Sequence, residues 1–372
     1  MKLALREMWR RPARFVTATI ILSLIALLLM FLGGLLDGLV RNSTGAVRAQ
    51  RGDVIVFSSD SKDSFLRSTI DAELRSRIEA VPGVDRTGGI GIIQLGARVP
   101  GKGVRDLADT ALFGYEVAPR GVPDTVPPLG QAYADSTLKA SDVDVGMTIL
   151  LGPRRTPITI IGFVDDTNYL GQSSLWASPA TWRQVVSENR SVEALADGTF
   201  QSLLVAGDGS LSASKLSSAI DAATSGTTRT LSIDAAANAI PGVKEQTGTF
   251  NQILGVTVVI ALAVVGMFFA LLTVERTGLY GVLKALGAGN ARLFGGVMAQ
   301  AVLVALMASA IAAVLGFIAD MAIPPGTVPF ELGVARVILS TVLMAFAAVI
   351  GCVFSLKRVL RVDPASAIGA GV

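Results

Sequence analysis

Four stretches of the chain carry no Asp, Glu, Lys or Arg: Val16–Leu36, Ile253–Val274, Leu293–Ala319 and Val337–Leu356. Each is long enough to cross a hydrocarbon core, which takes about 20 residues at 1.5 Å rise per residue. All four are predicted as transmembrane helices. Lys2, Arg6, Arg10, Arg11 and Arg14 precede the first run, as in a secretory leader. The run is too long for a leader and no Ala-x-Ala site follows, so a retained helix is expected. The intervening polar segments divide the chain into 1–15, the first helix 16–36, a domain at 37–250, the second helix 253–274, a link at 275–292, the third helix 293–319, a loop at 320–336, the fourth helix 337–356 and a tail at 357–372.

Between the first two helices the pattern changes to short mixed elements. Asp53-Val-Ile-Val-Phe-Ser-Ser59 reads as a strand, and Asp71–Ala80 as a charged helix stopped at Val81-Pro-Gly-Val84. Thr148–Leu151 and Ile158–Val164 flank Gly152-Pro-Arg-Arg-Thr-Pro157 and predict a hairpin. Ser212–Thr224 reads as helix and Thr230–Ile233 as extended chain, with Ile240-Pro-Gly-Val243 closing the domain. The echo of Val81–Val84 in Ile240–Val243 suggests two related subdomains. The expected fold is an α-helical membrane protein with four transmembrane helices plus one extracytoplasmic α+β domain inserted between helices 1 and 2.

Composition narrows the chemistry. Charged residues make up 16% of the chain and apolar residues 51%, too few charges for a soluble protein. The net charge of +3 comes without a long basic run, so no nucleic-acid partner is expected. Cys352 stands alone and the chain has no His, which excludes an internal disulfide, His-based triads and imidazole metal sites. Cations set the orientation, since Lys and Arg near helix ends favour the cytoplasm. The N-terminal cluster, Arg276, Lys284 and Arg292, and Lys357, Arg358 and Arg361 then lie inside, with both termini, while Asp320–Gly333 has acids but no Lys or Arg.

Gly96-Ala-Arg-Val-Pro-Gly-Lys-Gly103 nearly spells a phosphate loop, but Gly103 stands where a magnesium-binding hydroxyl is needed, so a turn is expected. No catalytic constellation is found, and the chain is not expected to be an enzyme by itself. The link from helix 2 to helix 3 is more informative. Leu279, Val282, Leu283 and Leu286 fall on one apolar stripe, and Gly287 supplies a stop. Such a stripe fits either a helix on the membrane surface or a coupling helix docked in a cytoplasmic motor.

The link Glu275-Arg276, followed by Gly281-Val-Leu-Lys-Ala-Leu-Gly-Ala288, resembles the permeases of the MacB and FtsX type of ABC transporter. Within that group the chain is most similar to the HrtB-type haem-efflux permeases of Gram-positive bacteria. The similarity rests on Lys2–Glu7 with Arg14-Phe15, Asp142-Val-Asp-Val-Gly146, Ile160-Ile-Gly162 with Tyr169 and Ser173-Ser174, Val328-Pro-Phe330, and Val359–Gly369. The resemblance implies a multi-pass protein of the bacterial cytoplasmic membrane, working as a homodimer with two ATPase subunits. Glu275, Arg276, Leu279, Val282, Leu283 and Leu286 would couple to the ATPase. Gly34-x-x-x-Gly38 permits close helix packing, either at the dimer interface or within the chain.

The resemblance also implies haem as substrate, with no cofactor permanently bound and no metal other than the haem iron. Export of another amphiphile (a glycolipid, peptide or drug) fits the same skeleton, as does FtsX-like transmission of motion to a cell-wall hydrolase. Without His, axial ligands would be Met, carboxylate, Tyr or Cys. Glu245, the last acid before helix 2, is the first candidate and Met30 the second, with Phe31, Leu32, Phe250 and Ile253 as apolar walls. At 1.5 Å per residue Met30 stands about 22 Å from Phe15 and Glu245 about 40 Å from Val274, so the two share a depth only if helix 2 tilts or breaks. For orientation, cysteines placed at Ser210 and Asn290 should differ: an impermeant thiol reagent added to intact cells labels the first and spares the second.

Overall fold

The computed structural model describes residues 12–103, 105–190, 196–275, 290–323 and 328–359. Eight α-helices are used below: α1 (Pro12–Arg48), α2 (Ala72–Glu79), α3 (Pro179–Asn189), α4 (Ala213–Ala223), α5 (Ile233–Ala239), α6 (Val243–Val274), α7 (Asn290–Ala322) and α8 (Val334–Val359). Four of them, α1, α6, α7 and α8, are long and apolar enough to cross a membrane. The chain divides into a helical unit, residues 1–38 and 247–372, and an inserted unit, Leu39–Gln246.

The helical unit forms because a backbone in hydrocarbon must satisfy its own hydrogen bonds. From α1, Phe15, Ala18, Leu22, Ala26 and Met30 recur at helical spacing and are buried. They meet Ala261, Val265 and Phe269 of α6, Ala301, Ala305, Ala308 and Ala312 of α7, and Met344, Ala348 and Cys352 of α8. Small side chains dominate because helices in lipid gain from close backbone approach. At Gly351 a Cβ would lie 2.7 Å from the Leu262 carbonyl oxygen and 2.9 Å from Gly266 N. Val16, Ile20 and Leu24 on α1, and Val256, Val259 and Met267 on α6, remain exposed, as surfaces meant for an apolar solvent should.

Among the described residues the inserted unit has nine strands: β1 (Val54–Ser58), β2 (Val84–Arg98), β3 (Leu107–Tyr115), β4 (Gln131–Asp135), β5 (Thr148–Leu151), β6 (Thr156–Val164), β7 (Ser173–Ala177), β8 (Ser202–Gly207) and β9 (Thr228–Ser232). They form one sheet in the order β3-β7-β4-β6-β5-β2-β8-β1-β9, and β3 also pairs with β2. That extra pairing closes β2, β3, β7, β4, β6 and β5 into a six-stranded ring. The remaining edge, β2-β8-β1-β9 with α2 and α4, has the order of a split β-α-β. The 15-residue β2 belongs to both parts: its first half pairs with β8 and its second half with β3.

Alternation along β1 shows how the unit is layered. Val54 and Val56 pack with Leu74, Ile78, Leu216 and Ile220 of α2 and α4. Ile55 and Phe57 turn to the opposite core, with Ala46 and Val47 of α1 and Ala236 and Ala237 of α5. The ring encloses a third core, in which Trp182 of α3 is fully buried and stacks on Phe200 at 5.9 Å. Trp182 lies over Gly91 and Gly114, where any Cβ would collide with it.

Several elements differ from the sequence reading for local reasons. The first helix does not end at Leu36 but runs to Arg48, because Ala46 and Val47 gain a core to bury against. The second begins at Val243, within the segment assigned to the domain, and is continuous to Val274. β2 and β3 are absent from the sequence reading: the Gly-rich run from Gly88 to Gly91 hides a strand whose missing side-chain volume Trp182 and Phe200 fill. Gly96–Gly103 is the end of β2 and its hairpin turn, with Gly101 at φ +84. Extended chain at 230–233 stops at Ser232, whose hydroxyl caps α5 by accepting from Ala235 N. The two Pro-Gly signals share only a turn, Gly83 at φ +98 and Gly242 at φ +88, since one leads into β2 and the other into α6. Trp182→Ala should cost about 3–5 kcal/mol through the cavity it leaves, read by denaturant unfolding of the solubilised protein under circular dichroism. A loss under about 1 kcal/mol would show that Gly91 and Gly114 do not depend on the indole.

Candidate functional site

Glu245 lies in the first turn of α6, two residues beyond buried Val243, and is exposed. Its charge suits a helix N-terminus, where backbone N–H groups lack partners. Glu245, Gly248, Gln252, Val256 and Val259 are exposed at helical spacing, and Gly248 and Gly255 have nothing near their Cβ positions. This stripe is polar at its start and apolar beyond. Ile253 is 43% exposed and Phe250 half-buried.

Met30 is placed differently. It is fully buried in the core of the helical unit, so its thioether fills space between helices. Its neighbour Phe31 is the exposed residue, stacked on Phe330 at 5.1 Å, and Leu32 is half-buried. Met30 belongs to the helical unit and Glu245 to the inserted unit.

The glycines of α1 are occupied from within the chain. A Cβ at Gly34 would lie 2.7 Å from the Phe330 ring and one at Gly38 would overlap the Pro329 carbonyl. Glu331 N donates to the Gly34 carbonyl at 3.2 Å. The segment 328–332 thus lies on the small-residue face, and the close approach that Gly34 and Gly38 allow is made with it. Beside it, Arg336 at the start of α8 covers Gly33 and donates from Nε to Asp37 Oδ2 at 2.7 Å and from Nη2 to Oδ1. The fork is bidentate, which gives it fixed geometry as well as charge. Sequence reading passed over this pair, because Asp37 and Arg336 each sit just outside a charge-free run. The signal was there: one acid and one base flank the same ends of two apolar spans, where partners are needed.

At the other end of α6, Glu275 is exposed and its backbone N donates to the Leu271 carbonyl at 3.1 Å. The other residues expected to couple to an ATPase, Arg276, Leu279, Val282, Leu283 and Leu286, lie outside the described residues. Among the described residues no group of three or more Cys, Asp or Glu could hold a metal ion.

Residues 251–364 match the FtsX-like permease C-terminal family. A protein of Staphylococcus epidermidis named as the hemin transport system permease HrtB is 28% identical over 127 residues, 34% of this chain and 36% of that protein. Its namesake from Staphylococcus haemolyticus is 32% identical over 111 residues, 30% of this chain and 31% of that protein. An ABC transporter permease of Mycobacterium bovis, described as uncharacterized, is 33% identical over 112 residues, again 30% and 31%. The chain thus matches about a third of the length of these relatives. Among solved structures, the periplasmic region of MacB from Actinobacillus actinomycetemcomitans aligns with TM-score 0.36 and 11% identity over 52% of this chain and 95% of that one. The extracellular domain of YknZ, an ABC-type transporter from Gram-positive bacteria, aligns with TM-score 0.33 and 10% identity over 48% and 100%.

Arg336→Met removes the cation and keeps most of the stem, leaving Asp37 without its fork. Asp37 is 41% exposed, so the expected cost is about 1–3 kcal/mol, between exposed and buried pairs. Thermal unfolding of the solubilised protein checks it, and an unchanged midpoint would show that the segment 328–332 holds α1 without the pair.

Proposed function

We propose that this chain, whose residues 251–364 match the FtsX-like permease C-terminal family, is the membrane subunit of an ATP-driven exporter that removes haem from the outer leaflet of the bacterial cytoplasmic membrane. The match of α6–α8 to that family is the observation that carries the permease reading. Two staphylococcal relatives named as hemin permeases support haem in particular. The cation pattern favours cytoplasmic termini and an inserted unit on the opposite side. ATP hydrolysis then belongs to a separate pair of ATPase subunits docked on the link from Glu275 to Gly289 and on the tail.

A homodimer supplies the chamber in this reading. Because the Gly34 and Gly38 face is taken up by residues 329–331, the second copy would meet the exposed faces, Ile20, Leu24 and Leu28 on α1 and Val256 and Val259 on α6. Glu245 supplies a carboxylate, and the exposed Ile253, Val256 and Val259 supply apolar surface, the two kinds of group an amphiphilic iron porphyrin needs. Glu245 would hold ferric iron, whose charge favours the ionised carboxylate, while Ile253, Phe250 and Phe31 face the macrocycle. Met30 would contribute only if the helical core opened.

Export of a different amphiphile is the second reading, favoured by the equal likeness to mycobacterial permeases for which no substrate is named. The test is hydrolysis by the purified permease and ATPase complex in lipid, with bound haem followed by its Soret band. Haem should stimulate hydrolysis, and Glu245→Gln should weaken haem binding about tenfold or more, a change of 1.4 kcal/mol. Wild-type hydrolysis that ignores haem would turn the reading to another amphiphile. A Gln variant with unchanged spectrum and affinity would remove Glu245 as ligand.

A further inference from the structure

The loop from Asp165 to Gln172, between β6 and β7, is fastened to the end of α1 in a way that ordinary packing does not require. Ala46 N donates to the Asn168 carbonyl at 2.9 Å, while Leu170 N donates to the Ser43 carbonyl at 3.0 Å and Gly171 N to the Asn42 carbonyl at 3.2 Å. Ala46 N–H and Asn42 C=O are each other's partners in an ideal helix, and here both bond the loop. Main chain therefore meets main chain, which needs a residue without a side chain between them. Gly45 is that residue: a Cβ there would lie 2.7 Å from the Asp166 carbonyl oxygen and 3.0 Å from Asn168 N.

Side chains repeat the attachment. Arg41 Nε and Arg48 Nη2 both donate to Asp166 Oδ1 at 2.9 Å, and the Asn42 and Asn168 amides meet at 2.6 Å. The loop is in turn tied to the ring by Asp135, a buried carboxylate at the end of β4. Asp135 accepts from Thr137 N and Oγ1 at 3.0 and 2.7 Å and from Thr167 N and Oγ1, both at 2.8 Å. Thr167 gives its one hydroxyl proton to Asp135, so the Ser174 hydroxyl of β7, 2.7 Å away, donates to Thr167. With its amide turned to suit these neighbours, Asn168 Nδ2 lies 3.0 Å from Asp135 Oδ1. Tyr169 is buried against Phe65 and Phe113, and that burial pushes its phenol pKa up. Asp166 at φ +58 and Leu170 at φ +52 are left-handed without being glycine, a conformation held only where surroundings over-determine it.

We propose that residues 165–172 are a permanent clasp on α1, fixing Asn42–Arg48 to the six-stranded ring so that movement of α1 during transport is delivered to the ring without slip. The proposal rests on the permease reading for the transport step, while the clasp itself stands on this geometry. Asp166, Asn168 and Gly45 are positioning residues that touch no substrate. A loop meant to open would spare the helix its main-chain bonds and leave the carboxylate that anchors it to the ring reachable by water; here Ala46 N and the Asn42 carbonyl both bond the loop and Asp135 is buried.

Hydrogen exchange on the full-length permease in nanodiscs, alone and with its ATPase trapped on nucleotide, tests the clasp. The amides of Ala46, Leu170 and Gly171 should exchange slowly and equally in both states. Gly45→Ala improves intrinsic helix propensity, so a weaker α1 cannot explain its effect. It should speed exchange at those amides and lower haem carried per ATP hydrolysed, each by about tenfold, the worth of a lost hydrogen-bond contact. Loss of protection on nucleotide trapping would overturn the proposal, as would a Gly45→Ala variant with loosened amides and unchanged transport per ATP. Co-purification separates the two readings: a permease that binds no ATPase defeats the transport reading, and the clasp is then judged by exchange alone, where unprotected amides in the isolated permease would refute it.

Discussion

Hydrocarbon cannot hydrogen-bond to a peptide group, and this constraint shapes the rest of the molecule. A chain that enters such a solvent as a helix leaves it as one. Both connections from the helical unit to the inserted unit accordingly fall inside helices, at Gly38 in α1 and at Gln246 in α6. The inserted unit therefore receives two helix ends and builds around them. Ala46 and Val47 enter one of its cores, and Val243 enters the same core from the start of α6.

Charge is arranged by the same constraint. Asp37 and Arg336 stand at the ends of apolar runs and form a two-point fork, which spares either group from facing an apolar medium alone. Gly33, Gly34 and Gly38 make that fork reachable by letting Arg336 and residues 329–331 lie directly on α1. A face that sequence alone offers equally to a second copy is thus filled by the chain's own loop, because the loop is tethered at both ends.

Within the inserted unit, one long strand joins two architectures. β2 is edge strand to a split β-α-β and wall of a six-stranded ring, so neither part can form its full hydrogen bonding without the other. The polar cluster around Asp135 and Thr167 ties the same ring to α1. Motif residues that carried the family resemblance fall within or beside that cluster: Tyr169 and Ser174 are buried there, and Ser173 lies 2.8 Å from Thr137.

Sequence by itself determined what depends on local composition. Four charge-free runs specify helices long enough for a bilayer, Asp71 marks the cap of α2 by accepting from Leu74 N, and Thr148–Leu151 with its partner strand specifies a hairpin. Glu245 was legible only as the last acid before helix 2; its place in the opening turn of α6, exposed while Val243 of the same turn is buried, was decided by the fold. Only tertiary structure decided the rest. Met30 and Phe31 are neighbours of similar hydropathy, yet the neighbouring helices bury the first and leave the second exposed. The strand through Gly88–Gly91 exists because Phe200 and Trp182 supply the volume its own residues lack. The helix continues past Leu36 because loop 165–172 and a core it cannot encode locally receive it. In each case the deciding partner lies far away in the chain, and no local pattern records a contact made at such a distance.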